Sequence, residues 1–433
     1  MIAKILSTTA TRFLTALISF AIVIINSRNI GPQGVGTIGI IILDITVIAA
    51  LSGFFGGSSF VYFTPRKRIS HLFLVSVMTS LAGPLLFALI YYAAGRFTGF
   101  AGILAPGAFV LHIFLLSFIL ILHSNNMSII LGREKIFVHN IITVLQQLTM
   151  IATLLFLFFA MEDFSVMSYI KAYYAGLLFA FIPSVFFVLK EIKNDKREES
   201  FSVTTFGEII NYGFTVQLAS LFQVFNYRLP YYFLKSFFPA GNRLGVYTVG
   251  TQLSEGLWII GKSISMVQYS RISNVDDRKI NSDLTINLLK FSVLSTFVLL
   301  LILLILPVEF YVYIFNFEAF AQVKTVIFYL SPGILALTAN MILSHYLSGT
   351  GKPVYNMIVS FLGLVIITIS GYFLIKSYGL VGAALAASLT YVSTMLFSFY
   401  FYFRHSSSKI KDLIIKRSDF RFFFSLLRKS IGK

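Results

Sequence analysis

Residues 5–53 read ILSTTATRFLTALISFAIVIINS, then RNIGPQ, then GVGTIGIIILDITVIAALSG, and this stretch decides the fold. Two apolar runs flank a short turn that holds Gly31, Pro32, Gly34 and Gly36. Each run is near the roughly 20 residues that a helix needs to cross the hydrocarbon core. Each also carries one charge, Arg12 in the first and Asp44 in the second. A charge at the bilayer centre costs at least about 2.5–3.5 kcal/mol. Both side chains are therefore expected to face protein or water.

Working outward, runs of the same kind recur to the end of the chain. The candidate spans are 5–27, 37–59, 71–94, 103–125, 140–160, 167–189, 208–234, 245–267, 288–308, 323–347, 354–375 and 379–403. Of the 433 residues 57% are hydrophobic and 12% charged, against about 25% charged in soluble domains. The 47 Phe and 22 Tyr suit lipid-facing and interfacial surfaces. The expected fold is all-α and integral to the membrane, with about twelve transmembrane helices. The first run mimics a secretion signal, but Arg12 interrupts it and no small-residue cleavage site follows, so it reads as an uncleaved span.

The net charge of +17 would suggest nucleic acid in a soluble chain. Here the basic residues sit between apolar runs, where they act as orientation signals and contacts to anionic lipid. An even span count puts both termini on one side. Placing them in the cytoplasm puts most of the 34 Lys and Arg inside, including Arg66-Lys67-Arg68, the stretch from Lys190 to Arg197, and Arg271, Arg278 and Lys279. Arg12, Arg228 and Lys262 remain within spans. With no cysteine, disulfides and thiolate chemistry are excluded.

The longest polar stretch, 190–207, falls near the midpoint and reads as a cytoplasmic linker. It separates an N-terminal six-helix lobe, 1–189, from a C-terminal one, 208–403. The basic tail, 404–433, mixes nine Lys and Arg with Ile, Leu and Phe and suits an amphipathic helix on the inner leaflet. A shift of 211 residues sets GVGTIG at Gly34–Gly39 on GVYTVG at Gly245–Gly250, and Asp44 on Glu255. Leu131-Gly132-Arg133-Glu134-Lys135 similarly resembles Gly349-Thr350-Gly351-Lys352. The matches argue for a duplicated six-span unit. Even-numbered units repeat in the same orientation, so the lobes are expected to be parallel around a central cavity.

Polar residues concentrate in spans one, two, seven and eight. Arg12, Ser19 and Asn26 are seven apart and share a helix face, as do Glu255 and Lys262, with Trp258 beside them. Gln217 and Arg228 share a face of span seven, with Asn226 near. Two readings stay open: a hydrophilic cavity between the lobes, or buried pairs such as Glu255 with Arg228 or Lys262 that lock helices together. Asp44 and Glu255 are also candidates for a proton or sodium site, since intramembrane acids serve in relays. His112, His123 and His345 share no ligand spacing and read as packing residues. No cofactor, metal or catalytic constellation is expected. The turn at Gly31–Gly36 follows no strand and is not a nucleotide cradle.

Several blocks resemble the Wzx-type polysaccharide flippases. They are Ile30-Gly31-Pro32 with Gly34 and Gly36 after a span holding Arg12, Asn226-Tyr227-Arg228, Gly245-Val246-Tyr247, Leu253-Ser254-Glu255 with Leu257-Trp258, and Tyr378-Gly379 with Val381-Gly382-Ala383-Ala384. The resemblance covers residues 1–403. It implies the multidrug/oligosaccharidyl-lipid/polysaccharide exporter fold in a bacterial inner membrane. It also implies an undecaprenyl-diphosphate-linked oligosaccharide as cargo, with polymerase and chain-length proteins as partners. Arg12, Arg228, Lys262 and Asn226 would then contact the anionic head group, because guanidinium groups hold phosphate bidentately. Pro230 stands where relatives often carry an acid, so a coupling role there does not transfer. The rival readings are a multidrug–cation antiporter of the same fold and a multi-span polysaccharide polymerase.

Overall fold

The computed structural model describes residues 2–53, 59–94, 104, 106–197, 203–239, 241–272 and 277–414. The tail expected to lie on the inner leaflet falls outside them from residue 415 on. The described chain is helical: α1 Ile2–Ser52, α2 Ser59–Phe63, α3 Ile69–Ala94, α4 Val110–Gly132, α5 Ile136–Leu155, α6 Val166–Asn194, α7 Val203–Phe237, α8 Arg243–Gly256, α9 Trp258–Ile272, α10 Arg278–Ile305, α11 Val308–Phe315, α12 Val323–Gly349 and α13 Val354–His405.

Among the described residues eight helical stretches are long and apolar enough to cross a membrane: Thr11–Ser52, Ile69–Ala93, Gly107–Gly132, Ile136–Ala160, Val166–Asn194, Arg278–Ile305, Glu318–Gly349 and Val354–His405. The chain is a multi-pass membrane protein. The first and last of these stretches are 42 and 52 residues long, and each changes direction at a glycine. Gly31 takes φ 74° and ψ 177°; Gly379 takes φ 55° and ψ −120°. A Cβ costs energy in this left-handed half of the map, and glycine has none. Pro32 then starts the second segment of α1, where its missing N–H is one the helix leaves unpaired anyway.

The expected spans 208–234 and 245–267 are helical, but they are more polar and are not among the eight. The second is also broken. α8 ends at Gly256, Leu257 is a turn whose N–H reaches back to the Ser254 carbonyl at 3.2 Å, and α9 starts at Trp258. The seven-residue register expected to align Glu255, Trp258 and Lys262 on one face crosses this turn.

The chain divides into two compact units, residues 1–249 with 309–323, and residues 250–308 with 324–433. The first has one apolar core joining α1, α5 and α6 through Ile18, Ile22, Ile38, Leu154, Phe158 and Tyr169. A second core, around Phe60, Leu72, Ile129 and Val188, joins α2, α3, α4 and α6. The other unit is held by Ile286, Ile342, Leu343, Tyr346 and Tyr402 from α10, α12 and α13. Opposite these cores the helices are apolar too. On α6, Phe179, Ile182, Phe186 and Leu189 are exposed at helical spacing, a face that water would not tolerate and lipid would.

Backbone conformation repeats along the chain. Glu134 has φ 56° and Gly351 has φ 75°, 217 residues on. At each, the next N–H reaches five residues back, Lys135 to the Ile130 carbonyl at 3.1 Å and Lys352 to Leu347 at 2.8 Å. This is the closing bond of a left-handed helix cap. Glu162 and Gly379 repeat at the same shift with φ 53° and 55°. The cap turns at Gly132 and Gly349 sit against equivalent backbone: a Cβ on the first would approach the Val61 carbonyl, and on the second the Tyr269 carbonyl.

Candidate functional site

α7 carries most of the site. Arg228 lies with its guanidinium carbon 5.7 Å from the Tyr231 ring centre, and its Nη1 donates to Tyr231 Oη at 3.4 Å. Tyr231 is buried and meets Tyr247 of α8 edge-on, with ring centres 5.0 Å apart. The guanidinium is thus oriented by a ladder of two tyrosines. Asn226, two residues earlier, is buried, and Gln223 donates to Tyr227 Oη at 2.8 Å. Pro230 removes one backbone donor from this part of the helix.

One turn beyond Arg228 the helix meets Asp44. This carboxylate is 1% exposed, on the second segment of α1. Tyr232 Oη donates to its Oδ1 at 2.9 Å. Lys235 lies in the field of Asp44 and donates to the Leu104 carbonyl. Arg12 was a sequence-based candidate for Asp44; the partners visible here come from α7. Arg12 itself is exposed on α1 and lies within electrostatic reach of His139 on α5. Gln217 donates to the Ala50 carbonyl at 3.4 Å, a further α7 to α1 contact.

Tyr231, Tyr232 and Lys235 were not singled out from the sequence. Their signal is present nonetheless: with Arg228 they occupy i, i+3, i+4 and i+7, a polar stripe on one face. Lys235 escaped because the hydropathy boundary of span seven fell at residue 234.

In the other unit, Glu255 is half-buried near the end of α8 and Lys262 is exposed on α9, within reach of His345 on α12. Trp258 meets Tyr391 edge-on at 6.4 Å. The histidines sit in hydrogen bonds: His123 with Ser184 at 3.2 Å, His112 with Tyr174 at 3.3 Å, and His345 with the Met341 carbonyl at 2.8 Å. Among the described residues no three His, Cys, Asp or Glu side chains are arranged for a metal ion.

A further polar cluster lies beyond the end of α6. The Asp195 side chain is 4% exposed and receives the Ile69 N–H at 2.9 Å and two bonds from the Arg197 guanidinium, at 2.7 and 2.8 Å. Arg197 also donates to the Thr64 carbonyl, and Arg133 pairs with Glu191 at 3.4 Å. Burial pushes the Asp195 carboxyl up, but the Arg197 and Ile69 bonds outweigh it and hold the group down at about 2.

No protein-family model matches the chain, and no curated protein matches its sequence. Solved structures do. The lipid II flippase MurJ in an inward closed conformation aligns with a TM-score of 0.74 at 17% identity, over 95% of this chain and 89% of that one. An inward-facing MATE multidrug transporter of the MOP superfamily gives 0.67 at 15%, over 90% and 94%. The MATE multidrug transporter DinF-BH gives 0.67 at 17%, over 96% of each. The chain has the MOP-transporter fold. These matched structures are a flippase and two multidrug transporters. In this fold Asp44 of α1 is held by Tyr232 of α7, and Arg228 lies against Tyr231 of its own helix.

Proposed function

We propose that this protein is a Wzx-type flippase. It moves undecaprenyl-diphosphate-linked oligosaccharide units from the cytoplasmic to the periplasmic leaflet of a bacterial inner membrane by alternating access. The observation that carries this reading is the set of cations within an apolar chain: Arg12, Arg228 and Lys262, with Arg228 oriented by Tyr231. A diphosphate head cannot cross hydrocarbon unaided, while its polyprenyl tail can stay in lipid. The protein must therefore supply the head with water and positive charge, and guanidinium groups match phosphate oxygens. The likeness to a lipid II flippase supports the same cargo class.

In this reading Arg12, Arg228, Lys262 and Asn226 contact the head group. Of the two candidate coupling acids, Asp44 and Glu255, Asp44 serves proton or sodium coupling while Glu255 mainly supports the architecture of the cavity. Twelve spans form two six-helix lobes, 1–189 and 208–403, with linker and termini in the cytoplasm. Support for twelve comes from the glycine breaks within α1 and α13 and from the helicity of the more polar α7 and α8–α9. Support for duplication comes from the equivalent turns at Glu134 and Gly351. A multidrug–cation antiporter is favoured by the likeness to multidrug MATE structures. Such cargo is cationic, however, and three basic residues within spans repel it.

The test is made in cells lacking the protein. Lipid-linked sugar units should accumulate on the inner leaflet and surface glycan should fall, with recovery on re-expression. Normal surface glycan in such cells, with no other exporter of this fold present, would refute the reading.

A further inference from the structure

The end of α13 holds a second positive cluster that the transport reading does not use. Lys352, in the turn between α12 and α13, places its ammonium 2.8 Å from His405 Nδ1. An ammonium has no acceptor, so the ring accepts through Nδ1, and Lys352 keeps two donors free of His405. Arg404 and Arg278 both act electrostatically on His405 as well. Arg278 is exposed, on the first turn of α10, and one of its nitrogens donates to the Ser406 carbonyl at 2.9 Å. The His405 ring sits 4.9 Å from Tyr355, which stacks on Phe401 at 4.5 Å. All these residues belong to one compact unit.

Three permanent cations thus surround one imidazole. Among the described residues none of the three pairs with a carboxylate. Two acids of this end are turned to backbone: Asp277 Oδ1 accepts the N–H groups of Lys279 and Ile280, and Asp412 Oδ2 accepts that of Lys409. A third, Asp283, is exposed on α10 and acts on Tyr402 rather than pairing with any of the three cations. Like charges gathered this closely repel one another unless an anion neutralises them. The stacked Tyr355 and Phe401 mark the depth at which aromatic side chains meet lipid head groups.

We propose that Lys352, Arg404 and Arg278 bind the phosphodiester of an anionic membrane lipid at the end of the chain that charge asymmetry assigns to the cytoplasm. His405 is a positioning residue that holds the Lys352 ammonium. The site is separate from the cargo reading and stands or falls without it. A phosphate oxygen pair suits the Arg404 and Arg278 forks, and the Lys352 ammonium adds a point charge.

The experiment uses the full-length protein purified in a neutral detergent. Phosphatidylglycerol, phosphatidylcholine and inorganic phosphate are added separately, and lipid retention is read by native mass spectrometry with thermal melting alongside. Phosphatidylglycerol should be retained over phosphatidylcholine, and Lys352→Gln or Arg404→Gln should each cut that preference about five-fold, the value of one basic residue near a charged lipid surface. Lys352→Arg should keep it. Arg404 is exposed, so its variant tests the site even if Lys352→Gln folds poorly. Equal retention of the two lipids, or unchanged preference in Arg404→Gln and in a folded Lys352→Gln, would overturn the proposal. So would stabilisation by inorganic phosphate with none by phosphatidylglycerol, which would mean a free-anion site.

Discussion

Gly36 on α1 faces Gly245 on α8 so closely that a Cβ on Gly36 would lie 3.0 Å from the Gly245 backbone nitrogen. The two residues belong to the two copies of the repeated hexapeptide, Gly34–Gly39 and Gly245–Gly250. Nearby, Gly39 leaves room for Thr248, and a Cβ on Gly245 would strike the Pro32 carbonyl. The repeated glycines have a packing role: they lie against each other, and small residues let two membrane helices approach. Gly245→Ala should destabilise the protein by about 1–3 kcal/mol, the usual cost of overpacking. Thermal melting in detergent would show this. An unchanged melting temperature would mean that the crossing relaxes freely.

Tyr232 anchors Asp44. Tyr232→Phe removes one donor to a buried carboxylate and should cost about 1.5–3 kcal/mol in stability. Asp44→Asn should alter the proton or sodium dependence of transport, whereas Glu255→Gln should mainly lower stability. Vesicles with imposed ion gradients, together with melting curves, separate these effects. Equal stability loss in the two acid variants, with unchanged ion dependence for Asp44→Asn, would assign both acids to structure alone.

The membrane class of the fold was legible because apolar runs have one cause, the hydrocarbon. The matching turns were legible where glycines recur, at Gly132 and Gly349. The break at Leu257 was not, since a single turn leaves the hydropathy of 245–267 intact. The partner of Asp44 was not legible either. Nothing on its own helix reveals it, and Tyr232 lies 188 residues away. At Arg228 to Lys235 the sequence does hold the pattern, a polar stripe on α7, but the end of an apolar run is not the end of the helix.

Arg228→Ala and Arg12→Ala should each reduce translocation strongly while leaving membrane insertion intact. Arg228→Lys should recover only part of the loss, since lysine keeps charge but not the planar fork that Tyr231 orients. The readout is surface glycan at matched, low expression. Normal glycan in both alanine variants would remove these residues from the substrate path.

Asp195 sets a pH limit on the cluster at the end of α6. Its folded-state value is depressed to about 2 from 3.8. Its contribution to stability is therefore fully present above the unfolded value, near pH 4, and is lost as pH falls through about 2. Asp195→Asn should lower the melting temperature at pH 7 by an amount that shrinks as the pH approaches 2. A difference from wild type that stays constant over that range would mean that the carboxylate charge is not what the cluster uses.

Transport of the lipid-linked sugar across a membrane containing only this protein tests the central claim most directly. Proteoliposomes would carry an undecaprenyl-diphosphate oligosaccharide with a labelled sugar, and an impermeant sugar-cleaving enzyme would report its appearance on the far leaflet. The expected result is protein-dependent exposure of the sugar that is lost in Arg228→Ala. Exposure no faster than in protein-free vesicles under every imposed ion gradient, from protein that exports an organic cation in the same preparation, would contradict it.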